Sequence, residues 1–298
     1  MSKMSVMRKM RLPLLSFACI SMVCLSNLNA QTMVNGSGLL ADFIQPEPYS
    51  ALNSTGDEFG ISFDAASGNI LYTTTVGGTS SVWKVKFSNE IEMGQPLSGN
   101  FNSNGAHRAC VSMGTNGEGV GVAFTSGLTQ ANPSIYTVLR ENGHFNLGHE
   151  VVELACDCFT SFPTLSPDGT RIVFASNRNG GAGGVDLWVS DRRSGLDWSP
   201  PVLLSSSLNS VGDEISPVFV SNDSLLYASN GYGGKGGFDI YLSVLREGAW
   251  QEPEPLAWLN SEFDDSDCIL LPNGALMFAS NRPGGKGGFD IWIARVRN

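Results

Sequence analysis

Three pairs of adjacent acids could do chemistry: Asp57-Glu58, Asp213-Glu214 and Asp264-Asp265, standing three or four residues before Ile61, Pro217 and Cys268. Carboxylates gathered at one mouth can hold a cation, a basic peptide segment or a sugar. Two of them in unlike surroundings can also serve as acid and base, or acid and nucleophile, on a glycosidic bond. His107-Arg108 takes the corresponding place in a second repeat, and Phe159-Thr160 in a third. The plainer reading is that such acids cap loops and keep the surface soluble. Their recurrence as equivalent pairs argues against catalysis, which needs unlike environments to separate two pKa values. A non-catalytic protein is therefore expected.

A second set of acids, Asp186, Asp239 and Asp290, closes the glycine-rich runs GGAGGV, GGKGGF and GGKGGF. A calcium loop of the Gly-Gly-x-Gly-x-Asp kind would need a nine-residue repeat, whereas these copies lie about 50 residues apart. Each Asp is expected to accept backbone N–H bonds from its own loop. Cys156-Asp157-Cys158, near His107 and Cys110 in repeat order, could offer zinc its N/S ligands, but the spacing fits no zinc module. A disulfide from Cys110 to Cys156 or Cys158 is the expectation for an exported chain. With Cys268, the four cysteines beyond residue 30 allow three connectivities. His144 and His149 fall in the outer part of the second repeat, and no Ser-His-Asp order or nucleophile elbow stands out. No cofactor is implied.

The elements that must position these residues follow from two aromatic series. Tyr72, Phe124, Phe174, Tyr227 and Phe278 form one, and Trp83, Tyr136, Trp188, Tyr241 and Trp292 the other. Both advance by 50 to 53 residues, so the chain holds five repeats. Each reads as four short strands joined by Gly, Pro, Asn and Asp turns, and no segment after residue 30 keeps a 3.6-residue apolar period. Four-stranded units of this length repeated radially make an all-β, five-bladed β-propeller. The repeats run approximately 57–105, 106–158, 159–212, 213–263 and 264–298. The last lacks an outer strand, and residues 42–51 are expected to supply it. Gln45-Pro46-Glu47-Pro48 resembles Pro253-Glu254-Pro255 of the fourth repeat. First strands line a propeller's axis, which would bring the acidic pairs to one channel mouth.

Residues 1–30 read differently. Lys3, Arg8, Lys9 and Arg11 precede the apolar run Leu12 to Leu25, and Ala30 offers a cleavage position, the pattern of a secretory signal peptide. Removing that segment takes four basic residues and no acid, lowering the formal charge from −10 to −14. Such a surface repels phosphate backbones, so nucleic acid is not an expected partner. No later run is long and apolar enough to span a bilayer. Residues 31–298 are expected to form one exported domain.

The stretch SFPTLSPDGTRIVFASNRNG, Ser161 to Gly180, followed by Val185-Asp186-Leu187-Trp188, resembles the TolB-type, WD40-like propeller repeat. The GGKGGFDIY/W variant is similar to repeats found beside OmpA-like peptidoglycan-binding domains, and no such domain follows in this sequence. The resemblance covers about 137 residues, 162 to 298, and implies a propeller of the cell envelope. The expected function is an exported, monomeric binding or scaffolding module for an envelope or extracellular protein or peptide. The alternative is a carbohydrate-binding or glycoside-hydrolysing propeller using axial carboxylates.

Overall fold

The second strands of three repeats, Ile172-Val173-Phe174-Ala175, Leu225-Leu226-Tyr227-Ala228 and Leu276-Met277-Phe278-Ala279, are apolar without a break and fully buried. A strand with that pattern has both faces covered. In the computed structural model, which describes residues 43–88, 92–103, 106–124, 132–195 and 197–297, the cover is a neighbouring sheet on each side. The segment 1–30 expected to be a signal peptide lies outside the described residues, as does Asp42 of the closing strand.

Five antiparallel sheets succeed one another along the chain. Their inner strands are Glu58–Asp64, His107–Met113, Thr160–Leu165, Glu214–Ser221 and Asp265–Leu270. Each sheet then runs outwards through a second and a third strand to a short outer one. The outer strands are Gln95–Pro96, His144–Glu150, Val202–Leu203 and Glu254–Pro255. The arrangement is a five-bladed β-propeller. Its core is an apolar layer at each of the five junctions, with a sixth, smaller cluster of Ala109, Cys110 and Val122 beside Phe59 and Phe162. Leu71, Val82, Val111 and Val138 fill the junction of blades one and two. Ile70, Tyr72, Met277 and Ile291 fill that of blades five and one.

The outer strand of blade five comes from the other end of the chain. Glu47–Pro48 pairs with Asp290–Ala294, placing Pro48 opposite Trp292 and Glu47 opposite Ile293. The fourth blade repeats this register, with Pro255 opposite Tyr241 and Glu254 opposite Leu242. Proline is tolerated there because an outer strand leaves its N–H side unpaired. The Arg295–Glu47 ion pair and the Phe43–Val296 bridge extend the seam.

Pairing also sorts the two aromatic series. Trp83, Tyr136, Trp188, Tyr241 and Trp292 occupy one equivalent position in all five blades. The other series fails in blade two. There the residue opposite Tyr136 is Gly121, and Phe124 lies three positions further on. The ring missing at Gly121 is replaced by the fully buried Phe101, whose Cζ would stand 3.0 Å from a Cβ at Gly121. Blades three and four share an extension: the third strand runs on to Ser194 in one and Arg246 in the other, and turns back through Asp197–Trp198 and Ala249–Trp250.

Removing residues 43–51 uncovers the hydrogen-bonding edge of Asp290–Ala294 and opens the ring. The expected outcome, read by size-exclusion chromatography and thermal unfolding, is aggregation and a lower midpoint. An equally heat-stable monomer would disprove the closure.

Candidate functional site

Three of the five crossovers between blades carry the sequence Leu-Asn-Ser. Asn209 binds both backbone groups of Leu187, Asn260 those of Ile240, and Asn53 those of Ile291, at 2.7–3.1 Å. The serine that follows binds the second acid of each pair. Ser54 Oγ donates to Glu58 at 2.5 Å, Ser210 Oγ to Glu214 at 2.5 Å and Ser261 Oγ to Asp265 at 2.9 Å. Glu58, Glu214 and Asp265 are fully buried. Burial raises the Glu214 pKa, opposed by its serine hydrogen bonds. Asp265 instead holds Arg282 at 2.6 Å.

The first acid of each pair reaches the preceding blade. Asp57 accepts the N–H of Phe289, Asp213 that of Val185 and Asp264 that of Phe238, at 2.8–3.0 Å. His107 makes the same connection in blade two, where its Nδ1 accepts the N–H of Ser80 at 3.2 Å. Arg108 fills the place of the buried acid, donating to Ser103 Oγ at 3.0 Å. All eight residues thus come to the crossover face, one pair to a junction. Each pair ties its own two blades together.

Asp186, Asp239 and Asp290 each turn back onto their own glycine-rich loop. Asp290 accepts the N–H groups of Lys286 and Gly287, Asp186 those of Ala182 and Gly183, and Asp239 that of Gly236. The loops wrap so tightly that a Cβ at Gly285 would overlap the Asp290 carboxylate.

The axis itself holds a feature that the sequence did not announce. Every inner strand carries a β-bulge, and each bulge contains one residue in the left-handed region: Gly60 (φ 59°), Cys110 (52°), Phe162 (50°), Ser216 (47°) and Asp267 (54°). Non-glycine residues there cost about 1–3 kcal/mol each, so the surrounding ring must enforce them. Side chains from the inner strands supply the enforcement, with a bond at every junction. Ser62 donates to Val111 O at 2.5 Å, Ser112 accepts from Leu165 N at 3.0 Å, and Thr164 accepts from Phe219 N at 3.4 Å. Ser216 Oγ accepts from Asp267 N at 3.1 Å, and Asp267 Oδ1 accepts from Gly60 N at 2.9 Å.

From this ring to the turns that end the inner strands runs a cavity of about 230 Å³. Its wall includes Phe162, Pro163, Pro217 and Ser216, and Asp267 is the one carboxylate on it. None of the eight crossover acids and bases lines it. Burial lifts the Asp267 pKa to about 6, against the opposing bonds from Ser266 and Gly60. Cys110 and Cys268 are buried free thiols whose pKa values burial raises. The disulfide expected between Cys110 and the Cys-x-Cys pair is corrected: Cys156 and Cys158 bond to each other. The register explains this, because Cys110 lies in the axial bulge while Cys156 and Cys158 lie on the crossover. Among the described residues no group of three His, Cys, Asp or Glu side chains could hold a metal ion.

No family model and no curated protein matches the sequence. Solved structures do match the fold. The endo-arabinase of Bacteroides thetaiotaomicron superposes with a TM-score of 0.55 at 16% identity, over 84% of this chain and 96% of that one. The α-L-arabinofuranosidase of Lactobacillus brevis gives 0.53 at 12% identity, over 85% and 92%. TolB of Acinetobacter baumannii gives 0.50 at 14% identity over 83% of this chain, which spans 57% of the TolB chain. These likenesses correct the expectation of a non-catalytic protein, since glycoside-cleaving proteins are built on the same ring. The argument from blade symmetry also lapses at the axis. Asp267 stands where the other blades have Gly60, Cys110, Phe162 and Ser216.

A carboxyl whose folded pKa exceeds its unfolded value of about 3.9 loses stability as pH rises through that window. Replacing Asp267 by Asn keeps the acceptor for Gly60 and removes the titration. Denaturant unfolding should show the Asp267→Asn protein gaining roughly 2–3 kcal/mol on the wild type between pH 4 and pH 7. A constant difference would mean that Asp267 is not held protonated.

Proposed function

We propose that this protein is a carbohydrate-active propeller that takes a sugar residue into the axial cavity, with Asp267 as the carboxyl that engages it. The observation carrying this reading is the single carboxyl group set into an otherwise apolar and hydroxyl-bearing wall at the centre of the ring. A sugar presents hydroxyls at its edge and C–H groups on its faces. The wall answers with Asp267 and Ser216 for the first, and with Phe162, Pro163 and Pro217 for the second. Binding sites of this composition are concave and mostly apolar with a few placed polar groups. With a pKa of about 6, Asp267 can donate to a glycosidic or hydroxyl oxygen when protonated and accept from hydroxyls when ionised. The endo-arabinase and the α-L-arabinofuranosidase that share the fold support the sugar reading. An exported location fits both the basic and apolar leader and the Cys156–Cys158 disulfide.

A second reading, docking of an envelope or extracellular protein, is favoured by the crossover face. Val211 is 88% exposed there and Phe263 41%, beside Asp213 and Asp264. Asp57, His107, Asp213 and Asp264 would frame such a surface.

Calorimetric titration with arabinan-derived and other oligosaccharides, alongside an assay for released reducing ends, tests the first reading. Binding or release is expected, weakened about tenfold, ~1.4 kcal/mol, in Asp267→Asn and in Phe162→Ala. A folded protein that neither binds nor cleaves any saccharide would overturn it. A protein partner captured by the wild type and lost in Val211→Ser/Phe263→Ser would establish the second.

A further inference from the structure

In blades one, four and five the serine of each crossover stands four residues before the buried acid it binds. Blade three keeps the geometry and changes the chemistry. Cys156 takes the serine's place, and Thr160 that of the acid. Blade three shares with blade five alone an arginine beside this position, Arg178 matching Arg282, where blades one and four carry Val76 and Gly231. In blade five, Arg282 Nη2 donates to Leu259 O at 2.9 Å and to the Asp265 carboxylate at 2.6 Å. In blade three, Arg178 Nη2 donates to Leu154 O at 2.7 Å and to Thr160 Oγ1 at 3.3 Å, with Cys156 Sγ at 3.8 Å. Arg178 makes no ion pair among the described residues. Its guanidinium is also fixed in place, stacked on Phe174 at 4.8 Å and Trp188 at 5.5 Å. A half-buried cation without its anion therefore faces a disulfide.

We propose that Cys156–Cys158 is a redox-active site that exchanges disulfides with the thiols of a cysteine-bearing polypeptide, and that Arg178 stabilises the Cys156 thiolate. Both cysteines are partly exposed, in a shallow cleft flanked by Asn132, Phe159 and Asn179. An incoming client thiolate attacks Cys158 Sγ and forms a mixed disulfide. The Cys156–Cys158 bond breaks, and its electron pair leaves on Cys156 Sγ, beside Arg178 and within 3.2 Å of the Thr160 hydroxyl. A second client thiolate then attacks the client sulfur of the mixed disulfide and displaces Cys158, which takes a proton from water. The client has lost two electrons in forming its own disulfide, and the Cys156/Cys158 pair has gained them. Exchange with an external disulfide, such as oxidised glutathione, restores the starting state. A neighbouring cation lowers a thiol's pKa, and a lower-pKa sulfur leaves faster. The reduced state thereby recovers the charge pairing that Asp265 provides in blade five.

The test equilibrates the full chain with mixtures of reduced and oxidised glutathione, then alkylates and weighs the protein. Cys156 and Cys158 are expected to open and close reversibly with the β-sheet circular dichroism unchanged, while Cys110 and Cys268 stay unmodified. Arg178→Met should shift the equilibrium about tenfold towards the disulfide and slow its reduction about as much. Thr160→Asp gives Arg178 the carboxylate present in blade five, and should have the same effect in a chain that folds normally. That separates lost chemistry from lost structure. A bond that resists glutathione until the protein unfolds would overturn the proposal, as would wild-type exchange in both variants.

Discussion

No blade of this propeller has a core of its own, so the molecule depends on what crosses from one blade to the next. Apolar area fills each junction, but apolar contact alone leaves two sheets free to slide. Registration comes from side chains that bind a neighbour's backbone. Asp57, Asp213 and Asp264 do so near the crossovers, and Ser62, Ser112, Thr164, Ser216 and Asp267 around the axis. A net contribution of about 1 kcal/mol per hydrogen bond is modest. The larger effect is directional, since each bond is satisfied in one register only. The five left-handed bulges are tenable because these bonds close a circle.

The sequence made the ring legible for a physical reason. Both faces of every blade are buried by equivalent neighbours, so the same residue types recur at the same depth. Trp83, Tyr136, Trp188, Tyr241 and Trp292 show this without exception, and Glu47-Pro48 could be matched to Glu254-Pro255 before any register was known. What could not be read was compensation from outside the repeat. Phe101 fills the space left by Gly121 from a different segment, which made Phe124 look equivalent when it is not. The crossover acids were legible as a set but not in role, because a carboxylate has the same letter whether it faces solvent or a serine. The axial bulges left no trace in the sequence, as Gly, Cys, Phe, Ser and Asp share no property a pattern could find. Asp267, inside a strand and next to Cys268, looked like an ordinary strand residue.

Function in such a molecule is sought where equivalence fails. A residue common to all blades answers to the fold. One that departs from its four counterparts has been released from that demand and is free to answer to something else. Two departures here have chemical content. Asp267 places the one charged side chain on the wall of the axial cavity, and blade three has Cys156 and Thr160 in place of a serine and acid beside an arginine that only blade five shares. One lies on the axis, and the other on the crossover from blade two to blade three.

The seam in blade five has a bearing on how the molecule comes to exist. Glu47 and Arg295 are 248 positions apart, and Asn53 and Ile291 are separated by 238. The entropic cost of closing a loop grows only as the logarithm of its length, so the finished ring is hardly penalised. Timing is another matter. The strand made first must wait, unpaired, for the one made last, and topologies dominated by such distant pairings fold slowly. Until that pairing forms, the sheets at the two ends of the chain each keep a raw edge. How long those edges stay unpaired is a matter of kinetics and does not register in the stability of the closed ring.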